Sequence, residues 1–283
     1  MNDYDCLVLL TLAYSSCFSF ALTAEEVIKR LPQAPNKLIF SKQKIKASLK
    51  KLTNQALIQS DGQYYYLDQK DLLSRKRLAA FVTEKEARVT EFVNLAKKIP
   101  FIKAIVLTGS TAVDNAQKDD DLDFMIICQR NTLWLTRFLL IILTKLKDKR
   151  PNQNNHNAWC FNLLLDESDL TIGENRRSLY EAYEILQMKF VFDRGNYEQL
   201  FLNANNWLKK YLFFYVNFMF EEYNGKMSFS LFNQILFWFQ RKYRLITFGQ
   251  ENFTLTPTQA FFNHLNFRAK LFMRLRKKLR KCS

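Results

Sequence analysis

The segment Lys103-Ala-Ile-Val-Leu-Thr-Gly-Ser110, followed eleven positions later by Asp121-Leu-Asp-Phe-Met-Ile-Ile127, gives the strongest structural signal in this 283-residue chain. The apolar, β-branched run before Gly109 predicts a buried strand, and the glycine predicts the turn that ends it. The apolar run after Asp123 predicts the next strand. Because side chains alternate along a strand, we expect Asp121 and Asp123 on the same face.

This pair of carboxylates predicts a metal site. Two like charges repel each other unless a cation lies between them, and hard oxygen ligands suit Mg²⁺ or Mn²⁺ with substrate phosphates completing the coordination. Glycine at position 109 lets backbone N–H groups approach a phosphate, and the Ser110 hydroxyl is one more donor. The arrangement favours phosphoryl or nucleotidyl transfer. The alternative is that residues 119–123 form a solvated acidic turn ahead of an ordinary core strand.

The run Leu107-Thr-Gly-Ser110 followed by Asp121-Leu-Asp-Phe124 resembles the signature of the DNA polymerase β-type nucleotidyltransferase superfamily, in which a Gly-Ser turn precedes an Asp-x-Asp strand. The resemblance implies that Gly109 and Ser110 position a phosphate and that Asp121 and Asp123 bind Mg²⁺ (or Mn²⁺) during catalysis. The implied reaction transfers a nucleoside monophosphate from an NTP to an acceptor, which could be a protein, a small molecule or an RNA end.

The third carboxylate of that superfamily has no clear counterpart in this chain. The candidate strand covers residues 158–165, and Asn162 stands where the family places an acid. Asp166 lies on the same predicted face and is the candidate third catalytic residue if the strand slides or bends. Asparagine can coordinate a metal but cannot accept a proton from an attacking hydroxyl. A pseudoenzyme that binds nucleotide without turnover therefore stays open.

Trp134 and Arg137 lie one turn apart on the helix predicted after the Asp-x-Asp strand. In the functional interpretation Arg137 reaches the triphosphate and Trp134 stacks on a base. The alternative is a buried tryptophan beside an ordinary salt bridge. His156 and His264 are isolated, so the sequence gives no support for a nucleophilic triad.

The N-terminal part predicts three helices followed by a hairpin. A capping-box pattern begins at Thr23, Ser41 is the predicted N-cap of a lysine-rich helix, and Asp61-Gly62 predicts a hairpin turn. This order resembles a winged helix-turn-helix domain, in which the third helix often enters the DNA major groove. The lysines after Ser41 would suit phosphate contacts. Alternatively, the unit is a protein-interaction module and its lysines form a solvated face.

The predicted fold class is α+β, with a small mixed-sheet nucleotidyltransferase core. We expect a winged-helix-like domain over residues 1–75, a connecting helix over 76–98, the core over 99–200 and a helical C-terminal section over 201–283. This arrangement, together with Gln259-Ala-Phe-Phe-Asn-His264, resembles a group of uncharacterised prokaryotic proteins known mainly by their nucleotidyltransferase domain.

Residues 268–283 form a basic tail in which eight lysines and arginines alternate with apolar residues and no acid intervenes. Such an amphipathic helix could bind RNA, DNA or an anionic membrane surface. It could equally be a packed C-terminal helix.

The whole chain has 42 Lys and Arg against 27 Asp and Glu, a formal net charge of +15 that favours polyanionic partners. Its five cysteines are widely spaced and form no zinc pattern, and no apolar stretch is long enough to span a membrane, so we expect a cytoplasmic protein. The rival to the enzyme is a nucleic-acid-binding regulator that uses the winged helix and the tail while the central domain is a catalytically inactive sensor or scaffold.

Overall fold

The computed structural model is a mixed α and β fold, as the sequence predicts, and it is built around a six-stranded mixed sheet. His156, His264 and residues 281–283 of the basic tail lie outside the described residues. The structure describes residues 1–34, 39, 41–149, 158–216, 218–225, 230–248, 253–262 and 266–280.

The N-terminal unit consists of three helices and a short antiparallel hairpin, in the predicted order. Thr23 caps the second helix through the predicted box with Glu26, and Gly62 adopts a φ of +94° in the hairpin turn. Buried apolar side chains from all three helices form a common core. The elements are α1 (Asp3–Ser16), α2 (Ala24–Arg30), α3 (Lys42–Asn54), β1 (Gln59–Ser60) and β2 (Tyr65–Tyr66).

The predicted connecting helix over residues 76–98 is wrong in its bounds. The segment holds two helices, α4 (Gln69–Leu78) and α5 (Val82–Ala96), joined by a short 3-10 turn over Ala79–Phe81. Leu72 of α4 packs on the hairpin, whereas Phe92 of α5 is fully buried against the central sheet. The charge pattern predicts a continuous helix because Ala79–Phe81, where the helix is interrupted, contains neither glycine nor proline.

The central sheet has the strand order β6-β3-β4-β5-β8-β7. Strand β3 runs antiparallel to β4 and β6, β4 runs parallel to β5, and β5 runs antiparallel to β8. The last two strands come from the section over residues 201–283 that was predicted to be helical, so the sheet extends past residue 200. The strands are β3 (Ile102–Thr108), β4 (Leu122–Cys128), β5 (Trp159–Asp166), β6 (Lys189–Asp193), β7 (Thr254–Leu255) and β8 (Gln259–Phe261).

Helices cover both faces of this sheet. The elements between and after the strands are α6 (Gly109–Ala112), α7 (Leu133–Leu146), α8 (Leu179–Gln187), α9 (Tyr197–Ala204), α10 (Leu231–Phe248) and α11 (Asn266–Leu279).

Alternation along β4 divides the core into two layers. Met125 and Ile127 face a layer that includes Tyr14 of α1 and Tyr183 of α8, and we call this side the α8 face. Phe124 faces the opposite layer, which includes side chains of α5, α7 and α10, and we call this side the α7 face. The residues predicted to form the functional site are divided between these two faces of the sheet.

Candidate functional site

Gly109 brings the turn after β3 into direct contact with Asp123. Strand β3 ends at Thr108, which pairs with Asp123 across the sheet, and Gly109 then adopts a φ of +66°. A Cβ atom at position 109 would lie 2.5 Å from Oδ2 of Asp123. Both the left-handed backbone and the missing side chain are therefore required at this position. The turn and the carboxylate form one compact unit.

Asp121 and Asp123 lie on the α8 side of the sheet and are held by the neighbouring strand β5. Oδ1 of Asp121 accepts a hydrogen bond of 2.8 Å from the backbone N–H of Ala158, and its Oδ2 accepts one of 3.4 Å from the Cys160 thiol. The side-chain amide of Asn162 donates to Oδ1 of Asp123. Donors at positions 158, 160 and 162, which lie just before and within β5, thus fix both carboxylates.

The electrostatics of this pair disfavour two negative charges. Burial raises the pKa of Asp123 to about 6, and repulsion from Asp121 and Asp120 adds to the effect. The hydrogen bond from Asn162 acts in the opposite direction. A protein that carries such a pair pays in stability unless a cation or a proton compensates it.

Ser110 lies beside the carboxylates and is anchored by a third acid. Its hydroxyl donates to Oδ2 of Asp120 over 3.3 Å, and the backbone N–H of Gln117 donates to the same oxygen over 2.8 Å. The Lys85 ammonium donates to the backbone carbonyl of Asp120. Asp120 therefore organises the turn, which is the structural role expected of an acidic turn, and leaves Asp121 and Asp123 facing the site.

Glu184 is a carboxylate of this site that the sequence did not predict. It lies on α8. Burial raises the pKa of Glu184 to about 7, and repulsion from Asp123 and Glu181 also raises it. No hydrogen bond joins its carboxylate to another described residue. On an amphipathic helix a glutamate at this position resembles any solvated acid, so only the packing of α8 on the sheet reveals it.

A cavity of about 210 Å³ opens between the Gly109-Ser110 turn and the N-terminal unit. Arg30 at the end of α2 lines it, together with Glu184. Burial lowers the pKa of Arg30, and its guanidinium lies over the Phe20 ring at 5.5 Å. Among the described residues none makes a hydrogen bond or ion pair with Arg30. Attraction to Glu26 on the same helix partly opposes the effect of burial, but no salt bridge forms between the two, so the cavity presents a half-buried cation beside the predicted phosphate turn.

A second cavity, of about 100 Å³, lies on the other side of Glu184 and is lined by Asn162. Two arginines border it: Arg176 donates to Oγ1 of Thr254 over 2.7 Å, and Arg268 forms an ion pair with Glu181. Glu184 thus borders both cavities.

Asp166 does not join the carboxylate pair, which corrects the prediction of a third catalytic acid at this position. The register places Asp166 opposite Cys128, whereas Asp123 lies opposite Cys160, so the two aspartates are at opposite ends of the paired strands. Asp166 is fully buried and accepts hydrogen bonds from the Asn131 N–H at 2.6 Å and from Ser168. Asn162, at an irregularity of the register, occupies the position beside Asp123.

Arg137 is also separated from the carboxylates, which corrects its predicted role in triphosphate binding. Its helix packs on the α7 face, where Trp134 is completely buried and Arg137 donates to Gln240 of α10. Burial lowers the pKa of Arg137 to about 10, and Arg244 contributes to the shift. The alternative stated for Trp134, a buried core side chain, is the one observed.

The lysines of α3 are partly engaged within the N-terminal unit. Lys46 pairs with Glu25 at 3.1 Å, and Lys51 pairs with the buried Asp5 at 2.6 Å. Lys44 lies 5.7 Å from the centre of the Tyr4 ring. These contacts leave fewer free cations on the predicted DNA-binding helix than the sequence suggests.

Within the described residues, no group of three or more His, Cys, Asp or Glu side chains converges to hold a metal ion. The same part of the chain contains no helix long and apolar enough to cross a bilayer. Comparison of the chain with models of protein families, with curated proteins and with solved structures finds no match.

Proposed function

We propose that this chain is a metal-dependent nucleotidyltransferase that transfers a nucleoside monophosphate from an NTP to an unidentified acceptor. One observation carries the proposal: the left-handed Gly109 packs against Asp123 at the edge of a cavity whose far wall carries an unpaired arginine. The Gly109 turn therefore connects the acidic pair, which it contacts through Asp123, with a cavity that is lined by a cation. Phosphoryl chemistry requires these three components together.

The two carboxylates suit a divalent cation, with Asp121 and Asp123 as its protein ligands. Their mutual repulsion and the raised pKa of Asp123 are what a bound cation would relieve. Mg²⁺ usually takes one or two carboxylates from the protein and its other ligands from water and phosphate, so a set of three side chains is not needed. When bound, such an ion neutralises charge on the triphosphate and on the leaving pyrophosphate.

The N-terminal unit contributes to nucleotide binding in this proposal. The N–H groups of the Gly109 turn bind phosphate oxygens, the Ser110 hydroxyl exchanges Asp120 for a phosphate oxygen, and Arg30 pairs with the triphosphate from the opposite wall. Burial penalises the Arg30 charge, Glu26 offsets part of this penalty, and an anionic ligand would offset more of it. The role of α2 is then to complete a small-molecule site.

In this proposal Glu184 accepts the proton that leaves the attacking hydroxyl of the acceptor. Asn162 occupies the position beside Asp123 but has no basic atom that could accept a proton at neutral pH. Glu184 borders both cavities, so a hydroxyl entering from either side could reach its carboxylate. Asn162 then positions Asp123 through their hydrogen bond.

The test is transfer of label from each α-³²P-NTP with Mg²⁺ or Mn²⁺, using protein, RNA and small-molecule extracts as acceptors. Asp121→Asn/Asp123→Asn should abolish transfer, and Glu184→Gln should lower kcat by about a hundredfold or more while binding of nucleotide persists. The matched control is Asp119→Asn, an exposed acid of the same turn.

Nucleotide binding without transfer, under all of these conditions, would identify a pseudoenzyme and contradict the enzymatic proposal. Salt-sensitive binding of duplex nucleic acid that is unchanged in the Asp121→Asn/Asp123→Asn variant would instead support the regulator.

A further inference from the structure

Helix α10 carries a stripe of large apolar side chains on its solvent side. Each exposes between 57% and 76% of its surface, whereas monomeric globular proteins rarely expose a contiguous set of this kind. Their spacing of one, three or four residues aligns them along one side of the helix. The residues are Leu231, Phe232, Ile235, Trp238, Phe239, Tyr243 and Ile246.

The inner side of α10 is firmly attached to the protein, so the stripe does not belong to a detached helix. Phe237 is buried against the ring of Trp134, with centroids 5.3 Å apart. The buried Gln240 donates to the Trp134 carbonyl over 2.7 Å, and the buried Asn233 accepts from the Trp134 N–H over 3.2 Å. One side of α10 therefore packs against the protein, and a second apolar side is exposed to solvent.

The neighbouring helix α7 adds a stripe of its own. Phe138, Ile142 and Leu146 recur every four residues and are exposed, the last to 77%. Arg137 of α7 donates to Gln240 of α10, which holds the two helices side by side. We call the exposed apolar side chains of these two helices the α7–α10 surface.

The charged residues of the two helices are all basic. Neither helix contains Asp or Glu. Lys145 and Lys242 are exposed, and the Arg241 guanidinium lies over the Trp238 ring at 5.1 Å. Long basic side chains can place their charges at the rim while their stems cover apolar surface. The α7–α10 surface is therefore apolar and aromatic with a cationic rim.

We propose that the α7–α10 surface binds the surface of an anionic phospholipid bilayer. Tryptophan and tyrosine suit the boundary between acyl chains and headgroups, apolar side chains insert, and lysines and arginines pair with anionic headgroups. A second copy of the chain fits less well. A symmetric contact would place two copies of this basic surface against each other, without any acid on either helix to offset their charges.

This assignment differs from the membrane contact predicted for the basic tail. Leu271 and Leu275 of α11 are buried in the core on the α8 face, which leaves Phe272 and Met273 as the exposed large apolar side chains among the described residues of that helix. The α7–α10 surface lies on the opposite face of the sheet, and its binding is independent of nucleotidyl transfer.

The test is cosedimentation of the full chain with vesicles of phosphatidylcholine alone and with vesicles in which about a third of the lipid is phosphatidylglycerol. Phe232→Ser/Trp238→Ser/Phe239→Ser should weaken binding to the anionic vesicles about tenfold or more. The control Leu73→Ser/Met219→Ser removes apolar residues that are 60% and 87% exposed elsewhere, and should bind as the wild type does. Lys145→Glu/Lys242→Glu should remove the preference for anionic lipid.

Absence of wild-type binding to the anionic vesicles would overturn the proposal, as would equal binding of the wild type and the triple serine variant. Equal binding to both vesicle types would overturn the anionic assignment. A concentration-dependent dimer in sedimentation velocity that the triple serine variant dissociates, without vesicle binding, would assign the surface to a second copy. Circular dichroism and the thermal midpoint establish that each variant is folded.

Discussion

Replacing Asp123 with asparagine should stabilise the protein at alkaline pH. The pKa of Asp123 is raised from 3.8 to about 6 because the carboxylate is buried beside Asp121. A carboxyl whose folded-state pKa is raised holds its proton more tightly in the folded state than in the unfolded state. Ionisation therefore opposes folding: the penalty is absent below pH 3.8, grows as the pH rises to about 6, and is complete above that value.

The expected magnitude follows from that shift. A difference of about 2 pH units at about 1.4 kcal/mol each corresponds to roughly 3 kcal/mol. Asparagine has the same shape and keeps an Oδ1 acceptor for the hydrogen bond from Asn162, while its new amide donor must be accommodated near Gly109. We therefore expect a net gain of about 2 kcal/mol in the free energy of unfolding at pH 8.

The assay is urea denaturation followed by circular dichroism in the presence of a chelator, at pH 4 and at pH 8. Asp123→Asn should exceed the wild type at pH 8 and lose this advantage at pH 4. Asp119→Asn, at an exposed position, is the control and should show neither effect. A gain of equal size at both pH values, or a loss at pH 8, would refute the reasoning that buried charge causes the effect. Mn²⁺ should stabilise the wild type more than the variant.

Three further substitutions test other parts of the site. Arg30→Met should weaken NTP binding about tenfold in calorimetry, whereas Lys29→Met, on the exposed side of the same helix, should leave it unchanged; equal affinities would remove Arg30 from the site. Gly109→Ala should destabilise the fold by about 1–3 kcal/mol, because φ is +66° and the added Cβ meets Asp123 at 2.5 Å; an unchanged thermal midpoint would contradict this contact. Asn162→Asp should raise Mn²⁺ affinity while lowering stability in chelator, since it places a third carboxylate beside Asp123; calorimetry showing no change in Mn²⁺ affinity would argue against a cation at this position.

The sequence predicted the local geometry of the turn and strands well. The apolar run before Gly109 became β3, and period-two alternation placed Asp121 and Asp123 on one side of the sheet. These features depend on a few neighbouring residues, whose backbone preferences act locally. The cation and the fourth acid of the site, Arg30 and Glu184, come from helices distant in sequence. Their approach depends on how α2 and α8 pack, which no local pattern specifies.

The predicted role of Arg137 was wrong because its closeness to Asp123 in the sequence suggested closeness in space. Its helix connects the parallel strands β4 and β5, and such a connection must cover one face of the sheet. Phe124 lies on that face, whereas its neighbour Asp123 points to the other. Any side chain on α7 is therefore separated from the carboxylates by the sheet itself. The alternation that paired the two aspartates also excludes the following helix from their site.

The same separation allows the two proposed activities to coexist. The carboxylates and both cavities lie on the α8 face, whereas the α7–α10 surface lies across the sheet. A chain bound to a bilayer through Trp238 and its neighbours would keep the Gly109 turn on the side away from the lipid. Membrane binding should then leave NTP affinity unchanged, since the cavity lined by Arg30 includes no described residue of α7 or α10 and Asp123 points to the α8 face. A loss of NTP binding on anionic vesicles would mean that the lipid engages the α8 face instead.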